Sequence, residues 1–123
     1  MKRDMELVRR ILLNIEKGNF YGGAEGYHDD AVNFHKALLI DAKLIEGIPR
    51  YSSQKPSDIP ISVRIKKVTW HGHDFINAIR TDAKWNKIKA FLADRGQDLT
   101  IESIQTAAKQ LFGPGGLGGS NPA

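Results

Sequence analysis

Chemistry at neutral pH draws on few side-chain types, and this chain of 123 residues offers four histidines, fourteen carboxylates and eighteen cations, with no cysteine. The missing thiol excludes disulfides, thiolate zinc sites and cysteine nucleophiles together, and fits a reducing cytoplasm. His71 and His73 form a His-x-His pair, but two positions apart on a helix point in different directions, so the pair is poorly placed to close on one metal ion. His35 falls on the core side of its helix, where a hydrogen-bonded packing role is expected, and His28 lies near a helix start, close to solvent. No Ser-His-Asp order or metal-spaced carboxylate set occurs in a suitable context. The glycines of residues 113–119 lack both the preceding strand and the Lys-Ser/Thr ending of a phosphate-cradling loop. No catalytic residue, metal or cofactor is therefore expected.

Binding chemistry is better served. The net charge is +4, with the positive excess concentrated in residues 47–95, whereas residues 19–46 are net acidic. Arg50, Lys55, Arg64, Lys66 and Lys67 could track a phosphate backbone or enter a minor groove, and Asn33 and Lys36, on the outer side of the preceding helix, could reach bases. Opposing them, Asp29 and Asp30 occupy the first turn of that helix, the turn that helix-turn-helix proteins bring closest to DNA. Glu25, Asp29, Asp30 and Glu46 would instead suit a basic surface on a protein partner.

The elements that must position these residues follow from periodicity. Asp4 is an N-cap, and Leu7, Val8, Ile11, Leu12 and Ile15 recur at helical spacing, predicting a helix from about Asp4 to Lys17 that Gly18 stops. Residues 19–26 are too rich in glycine for a helix and read as loop, with a short strand at Phe20-Tyr21. A second helix starts near His28 or Asp29. Its broad apolar face takes Ala31, Phe34, Leu38 and Leu39, with Val32, His35 and Ala42 beside them, and leaves Asp30, Asn33, Lys36, Ala37 and Ile40 outward.

At Ala42-Lys43-Leu44-Ile45 the helix turns into a strand of about Leu44 to Ile48, ending at Pro49; Lys43 stands where a left-handed residue, commonly glycine, is needed. Prolines and serines then mark residues 49–60 as a mobile tip, and Ile61, Val63 and Ile65 alternate with polar residues as a second strand whose phase slips at Lys67-Val68, a bulge or a strand end. Thr69 caps a helix bearing Phe75, Ile76 and Ile79, interrupted near Thr81-Asp82, where Asp82 can cap a continuation to Gly96. Thr100 caps a last helix, Ile101 to about Phe112. Trp70, Trp85 and Phe91 are assigned by their helical context to core or dimer packing.

Helix, two-stranded ribbon, helix is the order of a winged helix. The expectation is an α+β, mostly helical fold: one winged-helix-like domain over residues 1–112, with C-terminal helices that could pair two copies, and a flexible tail over 113–123. Apolar residues at 41% and charged residues at 26% are ordinary for a soluble globular chain, and no apolar run is long enough for a membrane span. The segments Met1-Lys2-Arg3-Asp4-Met5-Glu6-Leu7, Glu25-Gly26-Tyr27, Val32-Asn33-Phe34-His35, Leu44-Ile45-Glu46-Gly47 and Thr69-Trp70-His71-Gly72-His73-Asp74-Phe75-Ile76 resemble a family of prokaryotic and prophage proteins of unknown function, and more broadly winged-helix transcription regulators. The resemblance implies a winged-helix-like fold and a bacterial or phage source. It departs from the regulators at residues 19–26, where a glycine-rich loop replaces a helix. The functional expectation is a cytoplasmic DNA-binding regulator acting through a basic wing. The alternative is a phage-encoded inhibitor of a host nucleic-acid enzyme, anti-CRISPR-like, that binds its target through the acidic residues.

Overall fold

Asp4 starts the first helix as its sequence position requires: its carboxylate accepts from the backbone N–H groups of Glu6 and Leu7 at 3.0 and 3.3 Å, satisfying donors that a helix start leaves unpaired. From there the computed structural model, which describes residues 1–54 and 56–113, runs α1 (Met5–Glu16), α2 (Asp29–Asp41), β1 (Ile45–Arg50), β2 (Ser62–Val68), α3 (Trp70–Ile79), α4 (Asp82–Asp94) and α5 (Ile101–Phe112). The fold is α+β and mostly helical, with one two-stranded antiparallel sheet among the described residues, and α2-β1-β2-α3 follows the element order of a winged helix. Lys55 and the tail beyond Gly113 lie outside the described residues. The chain divides into two compact units, Met1–Trp70 and His71–Ala123.

In the first unit, α1 buries Met5, Leu7, Val8, Ile11, Leu12 and Ile15 and packs against α2, which in turn packs on both strands. His35 joins the two helices. Its Nε2 accepts from the Asp4 N–H at 2.8 Å, and its Nδ1 lies 2.7 Å from the Ala31 carbonyl, which assigns the proton to Nδ1. The ring is buried, so it is the packing histidine that its position on the helix predicts.

Two expectations for this unit are corrected. Phe20-Tyr21 forms no strand; the segment bends, and the Asn19 side chain closes it by accepting from the Gly22 N–H at 3.0 Å. The buried stripe of α2 is Val32, His35, Lys36 and Leu39, rotated from the expected face, so that Ala31, Phe34 and Leu38 are only partly covered and Lys36 points inward.

The passage from α2 into β1 follows the expected geometry. Lys43 takes φ 63°, its N–H bonds to the Ile40 carbonyl at 2.9 Å, and the Leu44 N–H reaches back to Leu39 at 3.0 Å, the paired bonds of a Schellman ending. Strand β1 runs through Pro49 to Arg50 rather than stopping at the proline, because in a two-stranded ribbon each strand has a free side on which a missing N–H costs nothing. Register pairs Ile45 with Val68, Glu46 with Lys67, and then Gly47 with Ile65. Lys66 is therefore an extra residue on β2, a bulge one position before the phase slip read from the sequence. Gly47 permits it: a Cβ there would come within 2.6 Å of the Arg64 carbonyl oxygen. At the ribbon's base the Thr69 N–H donates to Leu44 at 3.0 Å and its hydroxyl to Lys43 at 2.6 Å, placing Thr69 directly ahead of α3.

In the second unit α4 packs against α5. Thr81 caps α4 by accepting from the Lys84 N–H at 3.2 Å; the expected cap, Asp82, is instead the first helical residue. Gly96 follows the helix at φ 64°. Thr100 and Ser103 form a reciprocal capping box at 2.9 Å each way. Trp85, Ile88 and Leu92 of α4 and Ile104, Ala107 and Ala108 of α5 are buried.

Candidate nucleic-acid interface

A strand alternates its side chains between two faces, so in an unbroken β2 the neighbours Lys66 and Lys67 would point opposite ways. The bulge at Lys66 removes that constraint, and both lysines are exposed. Val63 and Ile65, at 6% and 4% exposure, cover the buried side. Arg50, Ser62 and Arg64 are exposed with the lysines, and register sets Arg50 opposite Ser62 and Arg64 opposite Ile48. Four cations thus mark the solvent side of the ribbon. Among its described residues the one acid is Glu46, 3.7 Å from Lys67, a surface pair that water and salt screen strongly.

Four apolar side chains stand at or beside these charges, one of them Ile61, 53% exposed just ahead of β2. Ile48 is 51% exposed, and Tyr51, just past the end of β1, is 47% exposed. Trp70, just past the end of β2, is 85% exposed, so of the expected core or dimer packing the core role does not hold. The signal was present in the sequence: positions three, four and seven after Trp70 are His73, Asp74 and Asn77, so its helical stripe is polar. The buried residues of α3 are Gly72, Phe75, Ile76, Ala78 and Ile79.

The remaining sequence candidates go elsewhere. Lys36 cannot reach bases from the outer side of α2, because it is 5% exposed and its ammonium donates to the carbonyls of Phe20 and Gly22 at 3.2 and 3.5 Å. Burial pushes its pKa below the ordinary lysine range, and the nearby Asp29 carboxylate opposes that shift. Asn33 donates to the Ile61 carbonyl at 3.3 Å. Asn33 and Lys36, with Tyr21, Asp29 and Asp30, line a cleft of about 310 Å³ between the glycine loop, α2 and the start of β2. His28 caps α2, its Nδ1 accepting from the Asp30 N–H at 3.2 Å.

The acidic residues do not gather as a set. Asp29 and Asp30 share the start of α2, whereas Glu46 sits on the ribbon beside Lys67. Glu25 lines a separate surface groove with Arg9, Arg10 and Lys17. No group of three or more histidine or carboxylate residues with metal-binding geometry occurs among the described residues. No helix among them is long and apolar enough to cross a membrane.

Comparison with known proteins adds a family and a relative. A family described as hypothetical protein (DUF2513) matches residues 2–98. An uncharacterized protein of Haemophilus influenzae is 33% identical over 118 residues, covering 91% of this chain and 96% of that protein. No solved structure matches the chain.

Proposed function

The chain belongs to the family described as hypothetical protein (DUF2513), and from its own surface we propose that it is a nucleic-acid-binding module that acts through the ribbon β1-β2, by binding rather than catalysis. The observation that carries this reading is the bulge at Lys66, which adds Lys67 to the exposed row of Arg50, Arg64 and Lys66 where a regular strand would turn it inward. Cations so arranged suit phosphates, and each phosphate neutralised releases about one counterion.

The test is fluorescence anisotropy with labelled random-sequence oligonucleotides, single-stranded and duplex, at 50 and 200 mM salt. Four phosphate contacts give a slope of log K on log salt of about −2.8 for a single strand to about −3.6 for a duplex, so affinity should fall roughly fifty- to a hundred-and-fifty-fold over that interval. Arg64→Glu with Lys66→Glu should abolish binding at the lower salt. Absence of binding to both oligonucleotides at 50 mM salt would end the proposal.

A further inference from the structure

We infer that the nucleic acid this ribbon accepts is single-stranded, with an unpaired base stacked on the indole of Trp70; the inference rests on the nucleic-acid reading above. Tyr51 follows the tip end of β1 and Trp70 the base end of β2, and the exposed cations lie between them. From the tip the order is Tyr51, Arg50 beside Ser62, Arg64 beside Ile48, Lys66, Lys67 and then Trp70. With about 3.3 Å per strand residue, the two aromatic side chains are separated by roughly 20 Å of charged ribbon. A cationic track with aromatic platforms is what an unpaired strand needs: phosphates meet the charges, and bases offer their π-faces to the rings.

A duplex fits this surface less well. Its base faces are hidden in the stack, and the amino acids that wedge into a minor groove are mostly aliphatic or phenylalanine rather than tryptophan. Helix α2 gives no help to duplex docking either, because its first turn carries Asp29 and Asp30, and Lys36, the cation of its middle turn, is buried. An indole 85% exposed next to the base of this ribbon forfeits apolar burial in the free protein. A stacked base supplies that cover.

The chain has two tryptophans, one exposed and one, Trp85, only 3% exposed, so a stacked base can directly quench only the Trp70 share of the emission, and Trp70→Ala supplies the Trp85 background. The full chain is titrated with a twelve-nucleotide oligo-dT and with the same strand annealed to oligo-dA, at 50 mM salt, reading tryptophan emission and anisotropy together. Oligo-dT should quench the emission and bind at least tenfold tighter than the duplex. Trp70→Ala should lose about five- to a hundred-and-fifty-fold in affinity for oligo-dT, with its thermal midpoint checked by circular dichroism, and Trp70→Phe should recover most of that loss. Duplex binding equal to or tighter than that of oligo-dT, or oligo-dT binding that neither quenches nor weakens in Trp70→Ala, would overturn the single-strand inference and leave the cationic ribbon standing. No binding to either oligonucleotide would overturn both.

Discussion

Lys43→Gly should stabilise the protein, although it removes a side chain and a charge. Lys43 sits at φ 63° after the Ala42 cap, where a Cβ crowds the adjacent carbonyl and an L-residue gives up about 1–2 kcal/mol. Glycine relieves that strain but frees the unfolded chain, at a cost of about 0.4–1 kcal/mol. The Lys43 side chain is exposed, and the bonds that close the turn, Lys43 N–H to Ile40, Leu44 N–H to Leu39 and the Thr69 hydroxyl to the Lys43 carbonyl, use only backbone atoms of residue 43. The net gain is therefore about 0.5–1 kcal/mol, or roughly 2–4 °C in Tm for a chain of this size. Urea unfolding followed by far-UV circular dichroism reads it as a raised midpoint with unchanged slope. Lys43→Ala carries the same loss of charge while keeping the Cβ, and should show no gain. A glycine variant no more stable than the parent, or an alanine variant that gains as much, would refute the strain argument.

His35→Leu strips the acceptor from the Asp4 N–H and should cost about 2 kcal/mol in urea midpoint, as expected for a covered donor left unpaired. Lys36→Met tests burial of the ammonium through pH. The folded-state pKa of Lys36 lies below its unfolded value near 10.5, so between the two the unfolded chain holds more protons and stability rises with pH. The parent should therefore gain on Lys36→Met between pH 7 and pH 10, measured as the difference in their urea midpoints; a gap independent of pH would contradict this.

Local signals carried most of the architecture. Asp4 and Thr100 are short polar residues ahead of apolar periodic runs, and both cap helices in the structure, because a cap needs only neighbours in sequence; at Thr81-Asp82 the same signal located the helix start but missed the cap by one residue. Lys43 was legible for the same reason. The stripe of α2 was not: apolar residues lie nearly all round this helix, from Ala31 to Ile40, so periodicity alone leaves its rotation open. What sets the rotation is long-range, the Asp4 N–H that needs His35 and the loop carbonyls of Phe20 and Gly22 that need Lys36. A lysine also has an apolar stem long enough to cross covered ground to such partners.

The candidate site divides along the same line. Arg50, Arg64, Lys66 and Lys67 were readable as strand and tip cations, but the bulge that turns Lys67 outward depends on Gly47 approaching Arg64 across the ribbon. Helical context alone does not separate Trp70 from the buried Trp85; the polar company of its stripe, His73, Asp74 and Asn77, is what marks Trp70 as lying off the core.

Pro49 gives the ribbon a property that has nothing to do with ligands. Two strands alone leave an unpaired flank on each side, and such flanks invite neighbouring molecules to add on and grow into aggregates. A residue with no amide hydrogen interrupts the β1 flank, and the bulge at Lys66 distorts the β2 flank, where Arg64, Lys66 and Lys67 add like charge. Smoothing this hairpin for regularity, by exchanging Pro49 for a β-branched residue or deleting the extra lysine, would trade solubility for a straighter strand.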